Sequence, residues 1–319
     1  MRYPGAMEFA KRYAPFLVLF AAMLWATDAP FRIHLTEGLA SNFIVLGEHF
    51  VSVIFVLPVL IMNLSELKKL GWKEWLSVIF IAICGSALAS VAFTESFHYV
   101  NPSVAILLQK LQPFIAIGLS AILLKEVLSP RFWTYTAIAM VGAYLVSFPG
   151  LVPQTYPGEA WHANLIGVTL AVVAAAFWGA STVFGKLVLN RTNFKVMTSL
   201  RFTLAFLFLI VLNAVAKTYP PLSSITPTDY LFIVIIALTS GVVSLFIYYK
   251  GLENTRASVA TIAELGFPLA AVVVNWIFLG DALAPMQIVG MLVILAAVAG
   301  LTRYNRDIEV EPLPEQVPI

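Results

Sequence analysis

Charged residues are scarce in this chain of 319 residues: they make up 11% of it, whereas 60% is apolar and the mean hydropathy is +0.90. A soluble globular domain carries roughly 25% charged and about 45 to 50% apolar residues. So small a charged minority cannot cover the surface of a water-soluble protein of this size. The composition therefore predicts a polytopic membrane protein whose surface is mostly in contact with lipid.

Cysteine and histidine are also rare. The single cysteine, Cys84, excludes a disulfide framework and a cysteine-based metal cluster, and the four histidines have no ligand spacing. A formal net charge of +2 is too small to indicate nucleic-acid binding. We therefore expect no metal, no cofactor and no nucleic-acid partner. Because no ATPase signature is present, we expect uphill transport by this chain to draw on an ion gradient, with a proton as the candidate coupling ion.

Apolar stretches of the length that crosses a bilayer core of roughly 30 Å occur ten times. They cover residues 14–35, 41–62, 73–97, 102–124, 131–148, 164–187, 194–216, 228–250, 257–279 and 285–303. No segment outside them is long enough to fold alone, so the predicted fold class is an all-α membrane protein with ten transmembrane helices. The last stretch, 304–319, contains three prolines and four acids and is predicted to be a disordered tail.

The positive charges predict the orientation. With the N-terminus in the cytosol, 15 of the 19 Lys and Arg residues fall in cytosolic segments and only Arg32 and Lys217 fall on the opposite face. Lys110 and Arg201 lie inside helices. We therefore expect a multi-pass protein of the cell's inner or plasma membrane with both termini in the cytosol.

The second half of the sequence repeats the first. Trp25 matches Trp178 and Glu48 matches Arg201 at an offset of 153 residues. At an offset of 155, the matches are Ser103 with Ser258, Pro113 with Pro268, Glu126 with Asp281 and Pro130 with Pro285. Each repeat holds five spans, an odd number, so the two halves are predicted to have inverted topology, as in many secondary transporters. This divides the chain into a cytosolic segment 1–13, a first repeat 14–148, an external linker 149–163, a second repeat 164–303 and the tail.

Motifs in both halves carry a family resemblance. Each half has an early tryptophan followed by small residues, LWATDAP at 24–30 and FWGASTVFGK at 177–186. Each also has a proline within its fourth helix and an acid that closes it, LQPFIAIGLSAILLKE at 111–126 and LGFPLAAVVVNWIFLGD at 265–281. The pattern resembles the drug/metabolite transporter superfamily, specifically its ten-helix EamA-type members.

The resemblance implies a secondary active transporter that moves a small polar metabolite by alternating access. Members export amino acids and other small metabolites, so an amino acid, exported, is the expected cargo. A carrier of anionic, phosphorylated or sugar-linked metabolites is the first alternative, with Lys110 and Arg201 as its anion site. An intramembrane enzyme is the second. It would need paired carboxylates, a metal constellation or a nucleophile with its base, and none is visible, so we expect no catalytic residues.

Several polar and aromatic residues are candidates for the substrate site. Trp25 and Trp178 occupy equivalent positions and are followed by Asp28 and Ser181, so they can line a cavity, together with Tyr248, or serve ordinary packing. Asp28 can instead pair with Arg32 one turn later.

Ionisable side chains within a span each cost roughly 2.5 to 3.5 kcal/mol at a helix centre and therefore need a partner or a water-filled cavity. Lys110, Arg201 and Glu264 lie seven or eight residues inside their spans, roughly 10 to 12 Å deep, and are the strongest candidates. Glu95 lies close to a helix end, from which its side chain can also reach the membrane surface.

Pro113 and Pro268 interrupt the fourth helix of each repeat. Each proline lacks an amide hydrogen and so releases the carbonyl four residues earlier, that of Gln109 or of Glu264. Such carbonyls indicate a substrate site or a hinge, and a tolerated kink is the alternative.

Depth arithmetic suggests two ion pairs that act as gates. Glu48 and Lys110 lie at similar depth near the outer face, and Arg201 and Glu264 share the inner third. We predict that the outer and inner pairs open in alternation when cargo or a proton competes for a carboxylate.

Small residues at four-residue spacing allow two helices to approach closely, either within one chain, which is the expected use, or in a homodimer. They are Ala139 with Ala143 and Ala296 with Gly300.

Overall fold

A computed structural model describes residues 4–100, 102–148, 150, 161–279 and 284–310. Within these residues every regular element is a helix, and we number the long helices α1–α10. They cover 4–36 (α1), Ser41–Met62 (α2), Trp72–Ser96 (α3), 102–123 (α4), Pro130–Ser147 (α5), Trp161–Leu189 (α6), Phe194–Ala216 (α7), Pro227–Glu253 (α8), 257–279 (α9) and Pro285–Val310 (α10).

Nine of these helices, all except α5, have the length and apolar composition of a membrane span. They confirm nine of the predicted spans to within a few residues. The remaining helix, α5, has 18 residues, and its first half carries Arg131 and several hydroxyl-bearing side chains that lower its hydropathy. Its crossing of the membrane stays a prediction.

The ends of the chain differ from the sequence expectation where they are described. Helix α1 begins at Pro4, inside the predicted N-terminal segment, and α10 continues to Val310, inside the predicted tail. The first proline of that tail is Pro312, so nothing in 304–310 breaks a helix that has already formed. Residues 311–319 and most of the predicted linker, 149 and 151–160, lie outside the described residues.

Side-chain caps start several helices at the positions where the sequence places turn residues. The Ser129 hydroxyl accepts a hydrogen bond from the Phe132 amide at the start of α5, and Asn193 does the same for Lys195 and Val196 of α7. These contacts satisfy amides that have no partner within the helix. The caps fix where the apolar spans begin.

Backbone irregularities recur at equivalent places in the two repeats. Helices α3 and α8 contain π-helical segments, Ile81–Leu88 and Ala237–Val243, and α4 and α9 contain 3-10 turns, Gln109–Leu111 and Glu264–Gly266. An offset of 155 superposes the 3-10 turns and all but the first residue of the π segments. The repeat seen in the sequence is therefore also a repeat of local structure.

The helix packing exchanges partners between the repeats. Helix α1 packs on α8, and its equivalent α6 packs on α3; α2 packs on its equivalent α7, and α5 packs on its equivalent α10. These contacts join the two five-helix units into one bundle and leave a central space between them. Irregular backbone in a membrane is tolerated where it lines such a space.

The α5–α10 contact is very close because glycines face each other. A Cβ added to Gly142 would lie 2.9 Å from the Gly290 carbonyl oxygen, and one added to Gly290 would lie 2.7 Å from the Gly142 carbonyl oxygen. Ala139 and Ala143, predicted to mediate close packing, are fully buried here. Packing within the chain therefore explains the small residues of α5.

Candidate functional site

A central cavity lies between the two repeats. Three kinds of side chain line it. The aromatic residues are Trp25, Phe93, Trp178, Phe202, Tyr248 and Phe267; the neutral polar residues include Ser52, Ser86, Ser90, Gln109, Gln112, Ser181, Thr182 and Ser240; the charged residues are Asp28, Arg32, Glu48 and Arg201. Aromatic walls with a few polar groups are typical of small-molecule sites, so the lining has the chemistry of a metabolite site.

Two aromatic pairs occupy equivalent positions in the two repeats. Trp25 of α1 lies against Tyr248 of α8 with ring centroids 5.1 Å apart, and Trp178 of α6 lies against Phe93 of α3 at 5.2 Å. Trp25 also donates a hydrogen bond from Nε1 to the Ser244 hydroxyl at 3.0 Å. Both tryptophans and Tyr248 therefore lie on the cavity wall, and their role in substrate binding stays a prediction.

The positive charge of Arg32 is shared by two carboxylates. Its guanidinium lies 2.9 Å from Asp28 Oδ2 and 2.9 Å from Glu48 Oε1, and it donates to the Thr94 hydroxyl at 2.8 Å. The predicted Asp28–Arg32 pair is confirmed. The predicted Glu48–Lys110 pair is wrong, because Arg32 of α1 reaches Glu48 of α2 and Lys110 points elsewhere.

Lys110 donates a hydrogen bond to the Ser147 hydroxyl of α5. It lines a smaller side cavity with Gln109, Pro113, Glu264 and Pro268, not the central one. Lys110 is thus held by Ser147 of α5 and lies outside the central cavity, where its positive charge was expected.

Arg201 of α7 is fixed by neutral acceptors from both repeats. It donates to the Ser86 hydroxyl at 3.1 Å, to the Tyr249 hydroxyl at 2.9 Å and to the Gly85 carbonyl at 3.0 Å. Ser86 in turn lies 3.0 Å from His49 Nε2. The predicted Arg201–Glu264 ion pair is wrong, because every hydrogen bond that Arg201 makes goes to the α3 π segment or to Tyr249.

Glu264 accepts hydrogen bonds from three neutral groups. Tyr248 donates to Oε1 at 2.7 Å, Thr182 donates to the same oxygen at 3.2 Å, and the Gln112 amide donates to Oε2. The carboxylate is buried, so these donors replace the water it would otherwise bind. The cluster joins α4, α6, α8 and α9 at one point.

The carbonyls released by the two prolines are not free. The backbone N–H of Gln112 donates to the backbone carbonyl of Gln109, and the backbone N–H of Phe267 donates to the backbone carbonyl of Glu264, both in 3-10 geometry. Each turn thus re-satisfies the group that Pro113 or Pro268 leaves unpaired. This argues against a substrate site made of bare carbonyls, and a hinge role for the two prolines stays a prediction.

Three buried polar atoms at the cavity have no hydrogen-bond partner among the described residues. Glu48 Oε1 is one of them, and it lies in the ion pair with Arg32. The other two are the Gln109 side-chain carbonyl Oε1 and the Ser181 hydroxyl. An unpaired buried polar group lowers stability by about 1 to 3 kcal/mol, so such groups indicate a site that a ligand completes.

Glu95 is a third predicted site residue that does not line the central cavity, after Lys110 and Glu264, which line the side cavity. It is partly exposed near the end of α3, 4.0 Å from His98, and does not line the central cavity. Conversely, the sequence analysis missed Gln112, Thr182 and Phe93. Thr182 lies one turn after Trp178, and this polar position on the tryptophan face is the signal that would have identified it.

Comparison with known proteins identifies the family of the chain. The EamA-like transporter family model matches residues 12–148 and 165–303, which is most of the chain. The chain belongs to the EamA-like transporter family. It is a multi-pass membrane transporter with the two-repeat fold of that family, so its cargo is a small molecule.

Relatives and a solved structure agree with this assignment. The chain is 30% identical over 300 residues to the riboflavin transporter ImpX of Fusobacterium nucleatum, covering 91% of this chain and 97% of that protein. It is 23% identical to an uncharacterized transporter, YvbV, of Bacillus subtilis, over 91% of this chain and 92% of the relative. One crystal structure matches with a TM-score of 0.71 at 14% identity, over 92% of this chain and 98% of the other, which supports the fold alone.

Proposed function

We propose that this EamA-family transporter carries riboflavin, or a flavin of closely similar structure, through the central cavity. The observation that carries the proposal is a cavity rich in aromatic rings and hydroxyl groups, whose two carboxylates are paired with Arg32 and whose Arg201 is held by neutral acceptors. The relative that is 30% identical over nearly its full length is named a riboflavin transporter, which supports the same cargo.

The cavity suits the two parts of a flavin. A planar heteroaromatic ring can stack against the indole faces of Trp25 and Trp178, which lie at the middle of their helices. A ribityl chain needs hydroxyl partners, which Ser90 and Ser240 offer in the same cavity. Riboflavin is neutral, so its binding requires no free counter-charge from the protein.

The amino-acid cargo expected from the family resemblance has less support. A zwitterion needs an anionic and a cationic partner, but Asp28 and Glu48 are engaged by Arg32. The anion-carrier alternative needs Lys110 and Arg201 as an anion site, but Lys110 lies outside the central cavity and donates to Ser147. Arg201 lines the cavity and already donates to Ser86 and Tyr249. Both rivals would have to break existing contacts before binding.

We infer that the cavity opens away from the predicted cytosolic face. On that face, one large cluster of buried apolar side chains includes Met197 and draws residues from all ten helices, and a small cluster of Ala116, Val183 and Ala257 lies apart from it. On the opposite face they form separate clusters, one with Leu35 and Ile233 on α1 and α8, another with Ala105 and Ala174 on α4 and α6. Separate clusters leave a passage between them, as alternating access requires of the open side.

A clamp on the predicted cytosolic side supports the same orientation. Lys125 has φ 53°, a left-handed backbone that ends α4 and turns Glu126 towards α9. The Glu126 carboxylate then accepts hydrogen bonds from the Ala257 and Ser258 amides at 2.9 and 3.1 Å. This contact ties α4 of the first repeat to α9 of the second, and we expect it to break when the cavity opens to the cytosol.

Uptake of radiolabelled riboflavin into liposomes containing the purified protein tests the proposal. Unlabelled competitors should be riboflavin, a panel of amino acids and a panel of phosphorylated sugars, each with and without an imposed pH gradient. Only riboflavin and its close analogues are expected to compete. Uptake no greater than in protein-free liposomes, or competition by an amino acid at equal concentration, would contradict the proposed cargo.

A further inference from the structure

The repeat symmetry is broken at one place in the cavity wall. In the second repeat, Tyr248 and Glu264 satisfy each other through a hydrogen bond of 2.7 Å. Their equivalents in the first repeat, at an offset of 155, are Phe93 and Gln109. Phe93 has no hydroxyl group, so Gln109 lacks the internal donor that its counterpart Glu264 has.

The atoms left without partners are consistent with this difference. Gln109 Oε1 is buried and accepts no hydrogen bond from the described residues. The Ser181 hydroxyl is likewise unpartnered, and this side chain is 3% exposed. Both residues line the central cavity, and the Gln109 turn packs on α6, the helix that carries Ser181. The cavity wall therefore presents, on two helices that pack together, an acceptor and a hydroxyl that the described residues do not use.

The aromatic pair at the same wall supplies a surface for a ring. Trp178 precedes Ser181 by three residues on α6, so the two share a helix face, and Trp178 contacts Phe93. A ligand ring on this aromatic surface would have its edge close to Ser181.

We propose that Gln109 and Ser181 form a polar subsite that binds the imide edge of a flavin ring. This edge carries an N–H group, N3–H, between two carbonyl groups. The Gln109 amide is complementary to it, because Oε1 can accept from N3–H while the amide nitrogen donates to one neighbouring carbonyl. The Ser181 hydroxyl can donate to the other carbonyl. The assignment rests on the proposed riboflavin cargo and names the residues that would distinguish it from other aromatic compounds.

The test compares riboflavin with N3-methylriboflavin, which lacks the imide N–H, by quenching of flavin fluorescence on the purified protein. The unaltered protein should bind riboflavin about tenfold more tightly or better, because methylation leaves a buried acceptor unpaired. Gln109→Met should reduce this ratio to about one. Gln109→Glu, which keeps an acceptor, should retain a preference for riboflavin.

Two serine variants serve as the matched pair. Ser181→Ala should weaken binding of both flavins by a similar factor of about three to ten, since its carbonyl partner is present in both. Ser120→Ala removes a buried hydroxyl of α4 that bonds to the Ile117 carbonyl away from the cavity, and flavin affinity should not change.

The outcomes separate the two proposals. If the unaltered protein binds riboflavin but does not discriminate against the methylated analogue, the Gln109 assignment is wrong and the cargo stands. The assignment is also wrong if Gln109→Met keeps the tenfold preference. If the unaltered protein binds neither flavin, the proposed cargo fails, and the subsite fails with it.

Discussion

Replacing Arg32 with methionine should destabilise the protein strongly, because it leaves the buried carboxylate of Glu48 and the partly buried one of Asp28 without their counter-charge. Arg32 is 5% exposed, and its guanidinium lies 2.9 Å from each of Asp28 and Glu48. Methionine preserves much of the side-chain length and apolar volume. The substitution therefore removes the charge and its hydrogen bonds with little change in packing.

The distances set the size of the effect. At 2.9 Å and an effective dielectric constant of about 20, each pair contributes about 6 kcal/mol of Coulomb attraction. Most of this offsets the desolvation of the three ions, and the loss on removing one partner of a buried pair is about 3 to 5 kcal/mol. For a chain longer than 250 residues, such a loss corresponds to a fall in melting temperature on the order of 10 °C.

The assay is thermal denaturation of the detergent-purified protein, followed by the loss of monodisperse protein on size exclusion. The matched control is Lys69→Met, which breaks an exposed pair with Glu66 and should cost at most about 1 kcal/mol. The triple variant Arg32→Met with Asp28→Asn and Glu48→Gln should recover most of the loss, because no charge is stranded. Equal melting temperatures for Arg32→Met and Lys69→Met would refute the reasoning, as would a triple variant less stable than the single one.

Three further outcomes follow from contacts outside this cluster. Gly142→Ala should lower the melting temperature by several degrees, since its Cβ would lie 2.8 to 3.0 Å from α10 atoms. Gly118→Ala, with open space around it, should not. Equal melting temperatures for the two variants would exclude tight α5–α10 packing. Glu126→Gln should weaken the cap on α9 by about 1 kcal/mol and raise the labelling of cysteines introduced in the cavity by a reagent on the cytosolic side. Unchanged labelling would show that this contact is not a gate. In a background whose single cysteine is replaced by serine, an impermeant thiol reagent added outside cells should label Gly38→Cys but not Lys69→Cys, and the reverse pattern would overturn the predicted orientation.

Hydropathy and self-similarity predicted the fold because both can be read from the linear order of the residues. A span must be apolar over its full length, and an inverted repeat must preserve landmarks such as Pro113 and Pro268. The Asp28–Arg32 pair was predictable for the same reason, since residues four apart on a helix are neighbours.

The ion pairs between helices were not predictable in this way. Depth in the membrane placed Glu48 near Lys110, but depth says nothing about which way a helix faces. Arg32 of α1 reaches Glu48, whereas Lys110 faces Ser147 of α5. The partners of Glu264 were missed because they are neutral hydroxyl and amide groups, which carry no charge pattern in the sequence.

Riboflavin counterflow across liposomes tests the account most directly. Liposomes containing the purified protein are loaded with unlabelled riboflavin and diluted into a trace of labelled riboflavin with no pH gradient. We expect a transient accumulation of label inside, because a carrier that alternates access exchanges cargo from both faces. We expect Trp178→Ala to abolish it, because this substitution removes the ring from the cavity wall. No accumulation of labelled riboflavin, or the same accumulation with Trp178→Ala, would contradict a flavin carried in this cavity.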